Sequence, residues 1–151
     1  MRDAAPQPRP DLAAMTLRLT RALVAAERPV LDRHDLPMWG YAVLLALDTG
    51  PVRTQAALAE AINADKTRLI GILDDLQERG LIERTPDPAD RRARLLSITP
   101  AGHQLRKAVQ SEIQRNEQRL LARFPPRARD AFLKILRDLA ELPVDEVTGG
   151  Y

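Results

Sequence analysis

The 151-residue chain contains no cysteine, which removes disulfides, thiolate zinc sites, cysteine nucleophiles and thiol-based redox sensing. Its two histidines, His34 and His103, stand in different elements, and no nucleophile elbow, phosphate loop or metal-spaced His cluster accompanies them. Catalysis, a metal and a cofactor are therefore set aside. No apolar run approaches the roughly 20 residues a membrane-spanning helix needs, and the first ten residues have no signal-peptide core, so a cytoplasmic protein with no membrane partner is expected. Aromatic residues make up only 3% of the chain. Neither sign of charge dominates: 23 Lys and Arg face 21 Asp and Glu, and a net charge of +2 argues for no particular partner. What counts is where the basic residues sit. The length is enough for one domain with an extension, and for a core that needs no covalent staple.

Residues 1–10 carry three prolines and little that can pack, and read as a disordered lead-in. From residue 12 the pattern becomes helical. Leu12, Met15, Leu19, Leu23, Ala26 and Val30 share one stripe, in a helix expected to kink or end at Pro29. A turn at residues 35–37 leads into a short, mostly buried helix over 38–47.

Thr54 can cap a helix over 55–62 whose apolar face comprises Ala57, Leu58, Ala61 and Ile62. Asn63 then stands where a tight turn needs positive φ. Asp65 caps a second helix over 66–79, with Leu69, Ile72, Leu73 and Leu76 inward and Gly80 as its C-terminal cap. Two short helices joined by a tight turn make a helix-turn-helix. Strands over 81–85 and 94–99, separated by an Arg-rich loop, make a wing. Thr99 and Pro100 open a long helix to about residue 123, broken by Pro125 and Pro126. A last helix over 127–142 groups Ala128, Phe132, Ile135, Leu136, Leu139 and Leu142, and the remainder reads as a tail. The expected fold is mainly α with a small β-hairpin: a winged helix-turn-helix over 35–102, flanked by terminal helices at 11–34 and 103–151. Those outer helices are amphipathic and lack a core of their own. They pack on each other or on a second copy, and a homodimer joined through Leu12, Met15, Leu19, Phe132, Ile135, Leu136 and Leu139 is the favoured solution.

Residues 54–102, TQAALAEAINADKTRLIGILDDLQERGLIERTPDPADRRARLLSITPAG, resemble the MarR family of bacterial regulators. The likeness rests on the L-A-x-x-turn-x-D-K-T helix pair, the G-L-I-x-R helix exit and the D-P-x-D-R-R wing in that order. It implies a homodimeric transcriptional regulator, a repressor, on a pseudo-palindromic operator in double-stranded DNA. It further implies that small aromatic, phenolic or anionic ligands bind between the dimer arm and the DNA-binding lobe and weaken DNA binding.

In a helix-turn-helix, the tip of the second helix enters the major groove. Lys66, Thr67, Arg68 and Ile70 lie there off the buried stripe, with Arg68 suited to the O6 and N7 of guanine. Gly71 lets the backbone approach closely. Asp74, Asp75 and Glu78 would repel phosphate, which confines reading to the first two turns. Thr54 and Gln55 open the preceding helix, where a plain cap and a phosphate seat fit equally. In the wing, Arg92 suits a narrow minor groove with Asp90 orienting it, and Arg91 and Arg94 suit phosphates. Arg79 and Arg84 are expected to pair with nearby acids or to touch phosphate. His34, Met38, Trp39 and Tyr41 cluster where the family resemblance puts the ligand, although core packing would explain them as well. A winged helix that docks on protein, without ligand response, would need apolar or acidic residues in place of Arg68, Arg91, Arg92 and Arg94.

Overall fold

Caps and turns delimit the helices. In the computed structural model, which describes residues 8–149, the order is α1 (Leu12–Arg33), α2 (Met38–Asp48), α3 (Gln55–Ala61), α4 (Lys66–Glu78), β1 (Ile82–Pro86), β2 (Arg94–Ile98), α5 (Pro100–Leu121), α6 (Pro126–Glu141) and α7 (Val144–Thr148). Most of the expected disordered lead-in, and the last two residues of the tail, lie outside the described residues. The chain divides into two units, one ending at Ser111 and the other starting at Glu112.

The first unit is a mainly helical body with a hairpin wing, as expected. Asp11, Thr54, Asp65 and Thr99 each accept a backbone N–H from the first turn of the helix that follows, which satisfies donors the helix cannot. At the other end, α1, α3 and α4 close in the same way. Asp35 (φ 49°), Asn63 (φ 53°) and Gly80 (φ 70°) take the left-handed conformation just past the helix. The following N–H groups, those of Leu36, Ala64 and Leu81, reach back to the carbonyls of Leu31, Ala59 and Leu76 at 2.8–3.0 Å. These are Schellman closures, and in α1 and α4 the leucine pair brought together is buried, so each turn is fastened by apolar contact as well.

Leu44, Leu47, Leu58, Leu69, Leu73, Leu76, Ile82 and Leu96 form the fully buried heart of this unit. β1 and β2 pair antiparallel from Ile82 opposite Ile98 to Pro86 opposite Arg94. A third element was not anticipated: Val52 bonds both ways with Leu96, at 2.9 and 2.8 Å, and extends the sheet on its far side. His103, at the start of α5, places Nδ1 2.6 Å from Asp48 at the end of α2, and Arg106 binds the same carboxylate at 3.2 Å. That histidine is a structural partner.

Three expectations need correction. Of the two outcomes expected at Pro29, α1 does not end there but runs on to Arg33: Pro29 is exposed, and burial of Val30 and Leu31 holds the final turn despite the missing donor. α3 buries Leu58 and Ala59 and leaves Ala57 and Ala61 exposed, because seven residues give it only a narrow inward face. The expected tail contains α7.

In the second unit, α6 begins with Pro126 at its first turn and buries no residue, although its apolar positions form one stripe. Phe132, Leu133, Ile135, Leu136 and Leu139 are all exposed on it.

Gly102, in the first turn of α5, is the tightest backbone approach: a Cβ there would lie 2.0 Å from the Leu81 carbonyl oxygen. Gly102→Ala is expected to cost about 3 kcal/mol, because backbone rather than a movable side chain must give way. Urea denaturation measures it, and a loss within the scatter of surface substitutions would contradict the packing.

Candidate nucleic-acid interface

Helical spacing puts Leu69, Leu73 and Leu76 of α4 inward, and therefore turns Thr67 and Gly71 to the opposite side, one turn apart. Lys66, Thr67, Arg68, Ile70 and Gly71 are all exposed. Ile70 is 49% exposed, which is unusual for an isoleucine on a helix that buries its three leucines. Around Gly71 nothing lies within 4 Å of where a Cβ would stand, so this stretch of helix backbone is open to approach.

The tip of α4 is built on Asp65. Its Oδ1 accepts the N–H of Thr67 at 2.6 Å and of Arg68 at 3.2 Å. The backbone N–H groups of Arg68 and Thr67 hold this carboxyl below its ordinary value of 3.8. A charged cap at a helix N-terminus also suits the positive end of the helix dipole.

The wing loop is organised by two aspartates. Asp87 is buried and accepts the N–H of Ala89 at 2.8 Å, and its own N–H donates to the carbonyl of Ala93. Asp90 accepts the backbone N–H of Arg92 at 2.9 Å, so its recorded contact shapes the turn that carries Arg92. Arg91, Arg92 and Arg94 all stand exposed on this frame.

Between the start of α3 and the wing lies a cleft of about 580 Å³, lined by Arg53, Thr54, Gln55, Gln77, Arg84, Arg92, Ala93, Arg94 and Leu96. Four of these residues are arginines and none is acidic. The Val52–Leu96 bridge explains the juxtaposition, since it pins the segment just before α3 alongside β2. Sequence reasoning placed Thr54, Gln55, Arg92 and Arg94 at the interface separately, but did not place Arg53 or Gln77 there. The one available signal was Val52, a lone apolar residue between Pro51 and Arg53.

Arg84 reaches from β1 to Asp74 on α4 at 2.9 Å, while its Nε is buried with no partner among the described residues. Asp75 faces Arg79 at 3.6 Å. Two of the three carboxylates that would repel phosphate from α4 are thus matched by arginines, with Glu78 remaining.

His34, Met38, Trp39 and Tyr41 do not line this cleft. His34 caps the end of α1 and the other three open α2; Tyr41 is buried, whereas His34, Met38 and Trp39 are half-buried.

The Asp65 cap carries a definite pH signature. A depressed folded-state value means the cap stabilises α4 fully above pH 3.8 and is lost as the pH falls through a folded value lying below 3.8. The amide shifts of Thr67 and Arg68, followed by NMR, are expected to titrate with a midpoint below 3.8, and Asp65→Asn removes that titration. A midpoint at or above 3.8 would count against the cap.

Comparison with known proteins agrees with this architecture. The profile of the MarR family matches residues 34–93. A putative transcriptional regulatory protein for the hcr operon of Thauera aromatica is 31% identical over 99 residues, 66% of this chain and 60% of that protein's length. Transcriptional regulator HosA of Escherichia coli O111:H- is 30% identical over 110 residues, 71% of this chain and 82% of HosA. Wild-type MarR from E. coli, in its apo form, superposes with a TM-score of 0.78 at 20% identity, covering 90% of this chain and all of MarR, which bears on the fold alone. The transcriptional repressor CouR bound to a 23-mer DNA duplex superposes at 0.70 with 28% identity, covering 87% of this chain and 93% of CouR. CouR from Rhodococcus jostii RHA1 bound to p-coumaroyl-CoA superposes at 0.68 with 25% identity, covering 88% and 94%. With a winged helix-turn-helix, relatives named as regulators and a matching family profile, the chain belongs to the MarR family of transcriptional regulators.

Proposed function

We propose that this protein is a cytoplasmic, homodimeric repressor that binds a pseudo-palindromic operator in double-stranded DNA and is released by a small aromatic or phenolic anion. The observation that carries the DNA reading is a cleft whose charged lining residues are all arginines, together with an exposed, capped helix tip. Arg53, Arg84, Arg92 and Arg94 surround it with no carboxylate on its walls, which fits a phosphate strand held between α3 and the wing. Lys66, Thr67, Arg68, Ile70 and Gly71 then address the major groove, Arg92 the minor groove, and Arg91 and Arg94 the flanking phosphates. The DNA-bound state of CouR supports this reading.

The dimer reading rests on apolar surface. Leu12 and Leu19 are exposed on α1, and Phe132, Ile135, Leu136 and Leu139 on α6. A stripe of this kind on a helix that buries nothing is costly in water. Two-fold pairing, with half-buried Met15 included, would cover it.

Ligand release is supported by the CouR structure with p-coumaroyl-CoA and by the half-buried aromatic and imidazole groups at the α1–α2 turn. His34 and Trp39 offer flat faces with a few polar atoms, beside Met38 and the buried Tyr41, which suits an aromatic anion.

Fluorescence anisotropy against a duplex from the region upstream of the protein's own gene tests the DNA reading. Arg68→Ala is expected to cost about 1–3 kcal/mol and to relax preference at one base pair, whereas Arg91→Ala weakens all sequences alike and lowers the salt slope by about 1. Equal affinity for this duplex and random DNA at moderate salt would overturn the regulator reading. Replacing Ile135 and Leu139 together by aspartate is expected to give monomers in sedimentation and to weaken operator binding; an unchanged dimer would move the interface elsewhere.

A further inference from the structure

Arg79 makes the expected ion pair, with Asp75 at 3.6 Å, but its shorter contacts lie elsewhere. It is the C-terminal cap of α4, and its guanidinium reaches beyond that helix: Nη1 donates to the Asp35 carbonyl at 2.7 Å and Nη2 to the His34 carbonyl at 3.2 Å, 44 and 45 residues away. Those oxygens belong to the last residues of the Schellman closure of α1, where helix carbonyls have no intrahelical donor. The planar fork of arginine suits two consecutive carbonyls at once, which a lysine ammonium cannot match. Charge reinforces the geometry. The negative ends of two helix dipoles, those of α1 and α4, meet on this one cation.

The two closures are thereby joined. Asp35 stands at φ 49°, a conformation uncommon for residues other than glycine, asparagine and aspartate, and one of the carbonyls Arg79 grips is its own. Immediately beyond this turn stand Met38 and Trp39 at the start of α2. Asp75 contributes a longer contact of 3.6 Å from within α4.

We propose that Arg79 is a positioning residue that registers the DNA-reading helix against the end of α1, so that a change at the His34 to Leu36 turn is felt along α4 and engagement of α4 is felt at the turn. The functional half of this inference rests on the DNA reading above; the link itself does not.

The full-length protein without DNA tests the link by hydrogen exchange. Arg79→Met is expected to speed exchange about tenfold at the amides of both His34 to Leu36 and Arg79 to Leu81, a loss on the scale of a charge-assisted hydrogen bond. Arg79→Lys restores part of the protection, and Asp75→Asn, which removes only the intrahelical pair, changes neither site. A change confined to one site, or the same change in Asp75→Asn, overturns the link. The coupling is read from Trp39, the single tryptophan. Saturating upstream duplex shifts its emission in the wild type, is without effect in Arg79→Met at concentrations where anisotropy shows the duplex bound, and gives an intermediate shift in Arg79→Lys. A full Trp39 response in Arg79→Met, or none in the DNA-saturated wild type, overturns the coupling. Failure of the duplex to bind the wild type counts instead against the DNA reading, and hydrogen exchange still decides the link.

Discussion

The end of α4 is the constraint on which the first unit depends. At Gly80 the chain takes the left-handed turn that lets Leu81 reach back to Leu76, and Leu81 is buried beside the helix it has just left. The Gly80 carbonyl then accepts the hydroxyl of Thr99 at 2.6 Å, and the same hydroxyl oxygen accepts the N–H of Gly102 to start α5. Gly102 packs so close to the Leu81 carbonyl that no side chain fits. One junction therefore sets the exit of α4, the root of β1 and the start of α5. Arg79 brings the end of α1 to the same place.

From that junction the wing follows. β1 leaves Leu81 and returns as β2 with a fixed register, and Val52 closes the sheet's other edge. Because Val52 immediately precedes Arg53 and Thr54, pairing it with β2 delivers the beginning of α3 to the side of Arg92 and Arg94. Sheet hydrogen bonding, rather than attraction, brings like-charged arginines around one cleft. Their mutual repulsion is a standing cost that an anionic partner relieves.

The electrostatics of the chain illustrate why net charge is a poor guide. At +2 the protein is close to neutral, yet its acids and bases are segregated. Asp65 and Asp90 serve backbone N–H groups, Asp74 and Asp75 face Arg84 and Arg79, and Arg53, Arg91, Arg92 and Arg94 remain exposed. A carboxylate committed to a cap or an arginine contributes little repulsion at the surface where Arg68 and Arg92 stand.

Local chemistry determined a great deal without reference to the rest of the molecule. Asp11, Thr54, Asp65 and Thr99 start helices, and Asn63 and Gly80 end them, because capping and positive φ involve residues only a few positions apart. The inward stripe of α4 and the Arg-rich wing loop were legible for the same reason, and with them the tip residues from Lys66 to Gly71. Tertiary structure alone decided three things. Pro29 stays inside α1 because buried neighbours hold the final turn. Arg53, Gln77 and Arg84 join Thr54, Gln55, Arg92 and Arg94 in one cleft through a bridge between Val52 and Leu96, 44 positions apart, where the lone apolar Val52 does not by itself name its partner. Arg79 spans a similar separation to grip two carbonyls, which are backbone atoms that every residue carries and no pattern of side chains can announce.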